Sequence, residues 1–125
     1  MSRYETLISK LETTLPSVSP SELQELMTST TTPLVVDVRE PADHQHNAIA
    51  GSINLPRSKL EANIENHMSS PNQQVIVYCG SRGRSQLVCR LLVEMGIDAA
   101  FLRGGLENWH RQMDDTSSRT DLKQP

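Results

Sequence analysis

Cys79 stands where a short apolar run, Val75-Ile-Val-Tyr78, gives way to a small loop, Gly80-Ser-Arg-Gly-Arg84, followed by Ser85-Gln-Leu-Val-Cys-Arg-Leu-Leu-Val-Glu-Met95. The apolar run reads as a buried strand and the segment after the loop as a helix, so the thiol lies at a strand end facing a helix start. Amides at a helix start lack backbone partners. Together with the positive end of the helix dipole and the guanidinium groups of Arg82 and Arg84, they favour an anion over a neutral group. A thiolate is such an anion: a free thiol titrates near pH 8.5, and the value falls to about 3.5–7.5 beside a helix N-terminus or cations. Gly80 and Gly83 place no side chain in the loop, so the amides from Gly80 through Ser85 can turn inward as a nest. Arg82 and Arg84 can add charge-assisted hydrogen bonds to an incoming oxyanion. The chemistry this arrangement suits is nucleophilic attack by Cys79, with an anionic substrate held at Gly80, Ser81, Arg82, Gly83 and Arg84. The plainer reading, a strand-end cysteine packed as a small hydrophobe, leaves the loop composition without a purpose.

The elements that must hold this loop follow from periodicity and capping. Tyr4, Leu7, Ile8, Leu11 and Leu15 form one apolar stripe of a helix that Pro16 ends. Ser19, Pro20 and Glu22 are an N-cap, a first-turn proline and a capping-box partner for a second helix carrying Leu23, Leu26 and Met27. The Ser/Thr-rich loop 28–32 leads through Pro33 to a buried strand, Leu34-Val-Val-Asp-Val38. One or two helical turns are expected over Glu40–His46, a short strand in Gly51–Pro56, and a helix through Leu60, Ile64 and Met68. Gly96 caps the helix after the cysteine loop, Ala99-Ala-Phe-Leu102 forms another strand, and Gly104-Gly105 opens a short helix with Leu106 and Trp109. From Gln112 onward the chain is polar and aperiodic and is read as a loose tail. Strands alternating with helices predict an α/β fold, with a mostly parallel central sheet flanked by helices on both faces. Ligands of such sheets bind beyond the carboxyl ends of the strands, where Cys79 lies.

Composition narrows the function classes. The chain has 125 residues, a formal net charge of −3 and 22% charged residues, which suits one globular domain and argues against bulk-charge binding to nucleic acid. The local balance differs, because no Asp or Glu occurs from Ser69 to Val93 while Arg82, Arg84 and Arg90 fall inside that window. Two cysteines are too few for a disulfide framework, and no apolar run approaches the ~18 residues of a membrane span. The N-terminus, with Glu5 and no continuous apolar stretch, is not a signal peptide. A soluble, cytoplasmic protein is expected. His44 and His46 would share a face only on a strand and have no third ligand nearby, so neither a metal site nor a cofactor is expected.

The blocks Asp37-Val-Arg39-Glu, Ala50-Gly-Ser-Ile-Asn-Leu-Pro56, Val-Tyr-Cys79-Gly-Ser-Arg-Gly-Arg84-Ser and Leu102-Arg-Gly-Gly-Leu-Glu-Asn-Trp109 resemble, in order, the signature blocks of single-domain rhodanese-like sulfurtransferases. The resemblance covers residues 17–111, leaving an amphipathic helical extension at 1–16 and the tail at 112–125. It implies a five-stranded, mostly parallel sheet, and a persulfide on Cys79 that carries sulfane sulfur from thiosulfate or a persulfide donor to cyanide or a thiol. It also implies that the amides of Gly80 to Arg84 hold the persulfide and the donor's oxyanion, with Arg82 or Arg84 binding anionic substrate. Four residues separate Cys79 from Arg84, as in sulfurtransferases, whereas related phosphatases have five and a wider cradle. A small phosphatase or arsenate-reducing enzyme is therefore the lesser alternative, beside a non-catalytic binding or redox-sensing module. The family's usual Gly-His before the Ile-x-Gly-Ala stretch is absent here, where Asn47-Ala48-Ile-Ala-Gly-Ser52 stands.

Further assignments stay open at this level. Arg82 and Arg84 can be solvated surface charges instead of substrate contacts, and Arg84 can brace the loop through backbone carbonyls. Asp37 and Arg39 can line the pocket or brace the turn. Cys89 is read as a packed helical thiol, with a resolving role for Cys79 as the alternative. The stripe of the N-terminal helix is expected to pack on its own domain, with a homodimer contact as the alternative; a sulfur-relay protein is a candidate partner, and no nucleic acid or membrane is expected.

Overall fold

The computed structural model describes residues 1–113. Five strands, β1 (Ser17–Val18), β2 (Leu34–Asp37), β3 (Ile53–Asn54), β4 (Val75–Tyr78) and β5 (Ala99–Leu102), form a sheet in the order β1-β5-β4-β2-β3. All four pairings are parallel, with Val35 opposite Ile76 and Val75 opposite Ala99. Parallel neighbours require crossovers, and α2 (Pro20–Met27), α3 (Pro41–His46), α4 (Leu60–Asn63) and α5 (Arg84–Glu94) supply them. Helix α1 (Arg3–Thr14) precedes the sheet, and a final helix α6 spans 105–113.

Alternation along the strands divides the core in two. Val75, Val77 and Cys79 face one side, with Leu60, Ile64, Val88, Cys89 and Leu92 of the helical layer; Ile76 and Tyr78 face the other, with Leu23 and Leu106. Because the strands are covered on both faces, β4 and β5 are apolar throughout rather than alternating with polar residues. The same period of two sends Cys79 toward α5 and Tyr78 toward the opposite layer.

Several local expectations are met in detail. The Ser19 hydroxyl accepts the Glu22 amide at 3.1 Å while the Glu22 carboxylate accepts the Ser19 amide at 2.8 Å, the reciprocal capping box expected of α2. Other elements differ from expectation. The helix through Leu60 and Ile64 is a composite, with 3₁₀ turns at Arg57–Lys59 and Ile64–His67 flanking the single α turn. Strand β1, only two residues between Pro16 and the Ser19 cap, pairs at the edge with β5 and leaves no periodic signature. Gln112 and Met113 continue α6, so the predicted tail begins too early; the remainder of it lies outside the described residues.

The turn leaving β2 is held by charge. The buried Asp37 carboxylate accepts the Arg39 amide at 2.9 Å, the Arg39 guanidinium at 2.8 Å and lies 3.0 Å from His44 Nδ1. Asn54 donates to the carbonyls of Asp37 and Arg39, tying β3 to the same turn. Asp37 and Arg39 therefore brace the turn, and His44 completes the brace. On the neighbouring strand the Tyr78 hydroxyl accepts the Ile49 amide at 3.1 Å and sits 2.8 Å from Ser52 Oγ, which donates to the Ile49 carbonyl. The segment Asn47–Ser52, where the chain departs from the family pattern, is thus fastened through a buried tyrosine.

Burial works to raise the Asp37 carboxyl, but the hydrogen bonds from Arg39 and His44 outweigh it and hold the group below its ordinary 3.8. A depressed folded value means that the carboxylate contributes stability fully above 3.8 and loses it as pH falls through the lower folded value. Thermal unfolding followed from neutral pH to about pH 3 should show this acid loss, and Asp37→Asn should lower stability by about 3 kcal/mol at neutral pH while flattening the acid limb. An unchanged acid limb in the variant would assign the loss to other carboxylates.

Candidate active site

Strand β4 ends at Tyr78, and the chain passes through Cys79 into the loop that starts α5. Cys79 is nearly buried, at 3% exposure, and forms the floor of an open cavity of about 250 Å³. Arg39, Asp43, Gly80, Ser81, Arg82 and Arg84 line the rest of it. The five residues expected to bind substrate therefore surround the thiol in four cases, with Gly83 buried behind them.

The loop owes its shape to two glycines, one just before α5 and one at the start of α6. Gly83 has φ +109°, which an L side chain rarely adopts, and the Tyr4 hydroxyl of α1 occupies the space its Cβ would need. Its amide donates to the side-chain carbonyl of Gln86, a buried residue in the first turn of α5. Gly83 thus shapes the loop and cannot lend that amide to a substrate, a correction to the expected nest. None of the remaining loop amides, Gly80, Ser81, Arg82 and Arg84, has a protein acceptor among the described residues.

The other glycine is Gly105. Helix α6 begins beside the cysteine loop, where the Leu106 amide donates to the Cys79 carbonyl at 2.9 Å and the Glu107 amide to the Gly80 carbonyl at 3.0 Å. Two unpaired carbonyls at a strand end meet two unpaired amides at a helix start. The approach is so close that a Cβ on Gly105 would lie 2.7 Å from the Cys79 oxygen and 2.8 Å from the Gly80 carbonyl. The glycine pair reads from sequence as a helix opening; its role as a clamp on the cysteine backbone is visible only in three dimensions.

Ser85 and Gln86 are functional candidates that sequence reasoning did not single out. The buried Ser85 hydroxyl lies 3.2 Å from Cys79 Sγ and 3.4 Å from Gln86 Oε1. The signal was present in the spacing: a hydroxyl one residue into a helix that starts just after the cysteine loop turns back toward the thiol. Cys89 is free and fully buried in the helical layer, and burial pushes its thiol up to about 12. It remains a protonated, packed thiol, as its plainer reading had it.

The arginines part company. Arg82 borders the cavity but is engaged by α1: its guanidinium pairs with Glu5 at 3.0 Å and with Glu12 at 2.5 Å, and approaches Ser9 Oγ at 3.4 Å. Three donors committed to α1 are not available to a substrate in this arrangement. Arg84 is exposed and makes no hydrogen bond or ion pair with any described residue. Helix α1 itself packs on α5, with Ile8 and Leu11 buried in its own domain and Tyr4 half-exposed.

Gly105→Ala should force a positive φ of +62° on an L residue and push the Cys79 backbone. We expect a stability loss of about 2 kcal/mol or more and a larger loss of reactivity at Cys79. Gly104→Ala is the control, since φ is also positive and the new Cβ would lie 2.5 Å from the Asn108 side chain rather than against the Cys79 backbone. Alkylation rates of Cys79 and thermal melts of both variants decide the matter; equal behaviour would show that the clamp does not shape the site.

Known proteins share this architecture. The thiosulfate sulfurtransferase PspE of Escherichia coli is 32% identical over 73 residues, which are 58% of this chain and 70% of that protein. A probable molybdopterin-synthase adenylyltransferase of Pyropia yezoensis is 26% identical over 108 residues, 86% of this chain, and the match spans only 29% of that longer protein. The crystal structure of a thiosulfate sulfurtransferase from Pseudomonas aeruginosa superposes on 85% of this chain with a TM-score of 0.77 and 29% identity, using 20% of its own length. Residues 19–112 match the family model for the rhodanese-like domain, and helix α1 lies outside that match. By that match, and with a five-stranded parallel sheet that presents a cysteine loop at the end of its central strand, the chain belongs to the rhodanese-like domain family.

Proposed function

We propose that the protein is a sulfurtransferase in which Cys79 carries a sulfane sulfur as a persulfide. The observation that carries this reading is the setting of the Cys79 sulfur: a strand-end thiol that borders an open cavity, 3.2 Å from a buried hydroxyl, in a loop whose Gly80, Ser81, Arg82 and Arg84 amides have no protein acceptor among the described residues. In the first half-reaction the thiolate attacks the outer sulfur of the donor. The new S–S bond forms at Cys79 Sγ, the donor's own bond to that sulfur breaks, and its electron pair leaves with sulfite or a thiolate. The Ser85 hydroxyl donates to the anionic sulfur, and the loop amides with Arg84 receive the departing oxyanion. In the second half-reaction an acceptor thiol or cyanide attacks the outer sulfur of the persulfide and returns Cys79 to its thiolate. No residue other than the loop, Ser85 and Arg84 is required to touch a substrate in this scheme.

The open cavity, rather than a closed one, supports a bulky donor or acceptor, including the persulfide end of another protein's chain. The likeness to a longer adenylyltransferase supports a relay partner of that kind for this chain.

Incubation with thiosulfate or cysteine persulfide followed by intact-mass measurement should add about 32 daltons, one sulfur atom, to the wild type and nothing to Cys79→Ser. Absence of the adduct with both donors would leave the domain as a binding module. Ser85→Ala should reduce sulfur transfer roughly tenfold to a hundredfold, the worth of one hydrogen bond to a charged sulfur. A rate within twofold of wild type would remove Ser85 from the site.

A further inference from the structure

Helix α1 adds charge to the site as well as packing. Its residues Ile8 and Leu11 are buried in the domain and the half-exposed Tyr4 sets its hydroxyl against Gly83, and the next residue along in each case, Ser9, Glu12 and Glu5, faces Arg82. Helical spacing makes these two parallel stripes. The apolar stripe anchors the helix, so the carboxylates are delivered to Arg82 by burial elsewhere rather than by the ion pairs themselves.

The charge near the cavity follows from these partners. Arg39 is neutralised by Asp37, and Arg82 faces two carboxylates, Glu5 and Glu12. Asp43 adds another negative charge to the cavity wall. Arg84 is left as the cation at the cavity without a partner among the described residues. A small dianion such as thiosulfate brings both charges into this wall and finds one arginine to receive them. A persulfide brings at most one negative charge to the attacked sulfur and no oxyanion, and meets less of that repulsion.

We infer that Glu5 and Glu12 of α1 are specificity-determining residues that act through Arg82, biasing Cys79 toward persulfide donors and against dianionic thiosulfate. The inference rests on the sulfurtransferase reading above. For a persulfide donor R–S–SH, the Cys79 thiolate attacks the outer sulfur, the S–S bond to R–S breaks, and R–S⁻ leaves with the electron pair while the proton stays on the transferred sulfur. Atoms and charge balance without an oxidant or reductant. Glu5 and Glu12 touch neither partner; they are positioning residues that hold Arg82 off the thiol.

The test is a comparison of full-length wild type with Glu5→Gln/Glu12→Gln, using thiosulfate and cysteine persulfide as donors and an acceptor thiol in excess. The KM for thiosulfate should fall about threefold to tenfold with kcat nearly constant, the range that two exposed ion pairs support. The values for cysteine persulfide should change less than about twofold, and the thiosulfate effect should shrink at about 0.5 M salt, where exposed charges are screened. Adding Arg82→Gln to the double variant should return the thiosulfate KM to near that of the wild type, because the freed guanidinium is then absent. A thiosulfate KM that does not move, a parallel change with both donors, or a gain that survives loss of Arg82 would each overturn the inference while leaving sulfur transfer intact. Failure of the wild type to form a Cys79 persulfide with either donor would overturn both.

Discussion

The carbonyls of Cys79 and Gly80 leave the central strand with no sheet neighbour, and the first amides of α6 take them. Much else follows from that pair of hydrogen bonds. Once the backbone at Cys79 is pinned, the chain must turn within four residues to reach the first residue of α5, and Gly83 is the point at which it does so. The turn then presents Ser85 back to the thiol and brings Gln86 against the Gly83 amide. A strand end and two helix starts, each with unmet hydrogen-bonding groups, satisfy one another in part and leave the remaining amides facing no protein acceptor.

The architecture was legible because its signals are strong and local. Buried parallel strands need continuous apolar runs, and Leu34–Asp37, Val75–Tyr78 and Ala99–Leu102 are such runs; α2 carries a complete capping box. The order of strands and helices then leaves little choice of fold class. What escaped notice is either short or non-local. Strand β1 has two residues, too few for any period, and exists because β5 offers an open edge. The composite helix at 57–67 follows one hydrophobic spacing while its backbone alternates between 3₁₀ and α turns, a distinction that side-chain spacing does not encode.

The site divides along the same line. Cys79 and its loop were legible as a candidate site because residue type and position act together at a strand end before a helix start. The supports were not. Gly105 is twenty-six residues from Cys79, and its close approach depends on where β5 ends relative to β4, which is a matter of register. Asp37 and Arg39 gave no sequence reason to prefer brace over pocket; the carboxylate's contacts with Arg39 and His44 make Asp37 a brace, while Arg39 both braces the turn and lines the cavity.

Arg82 and Arg84 illustrate why residue type alone does not assign an anion site. Both are arginines in one loop, both border the cavity, and no acidic residue stands near them in sequence. The acids that distinguish them arrive from α1, more than sixty residues away. Burying Ile8 and Leu11 contributes roughly 1.5–3 kcal/mol each, whereas the ion pairs of Arg82 lie exposed and are screened by solvent. The apolar contacts therefore set where the helix lies, and the carboxylates follow. A segment outside the family match can thus change the charge of a family site without altering one residue of the loop, because helical geometry places a polar stripe beside any apolar stripe that the core retains.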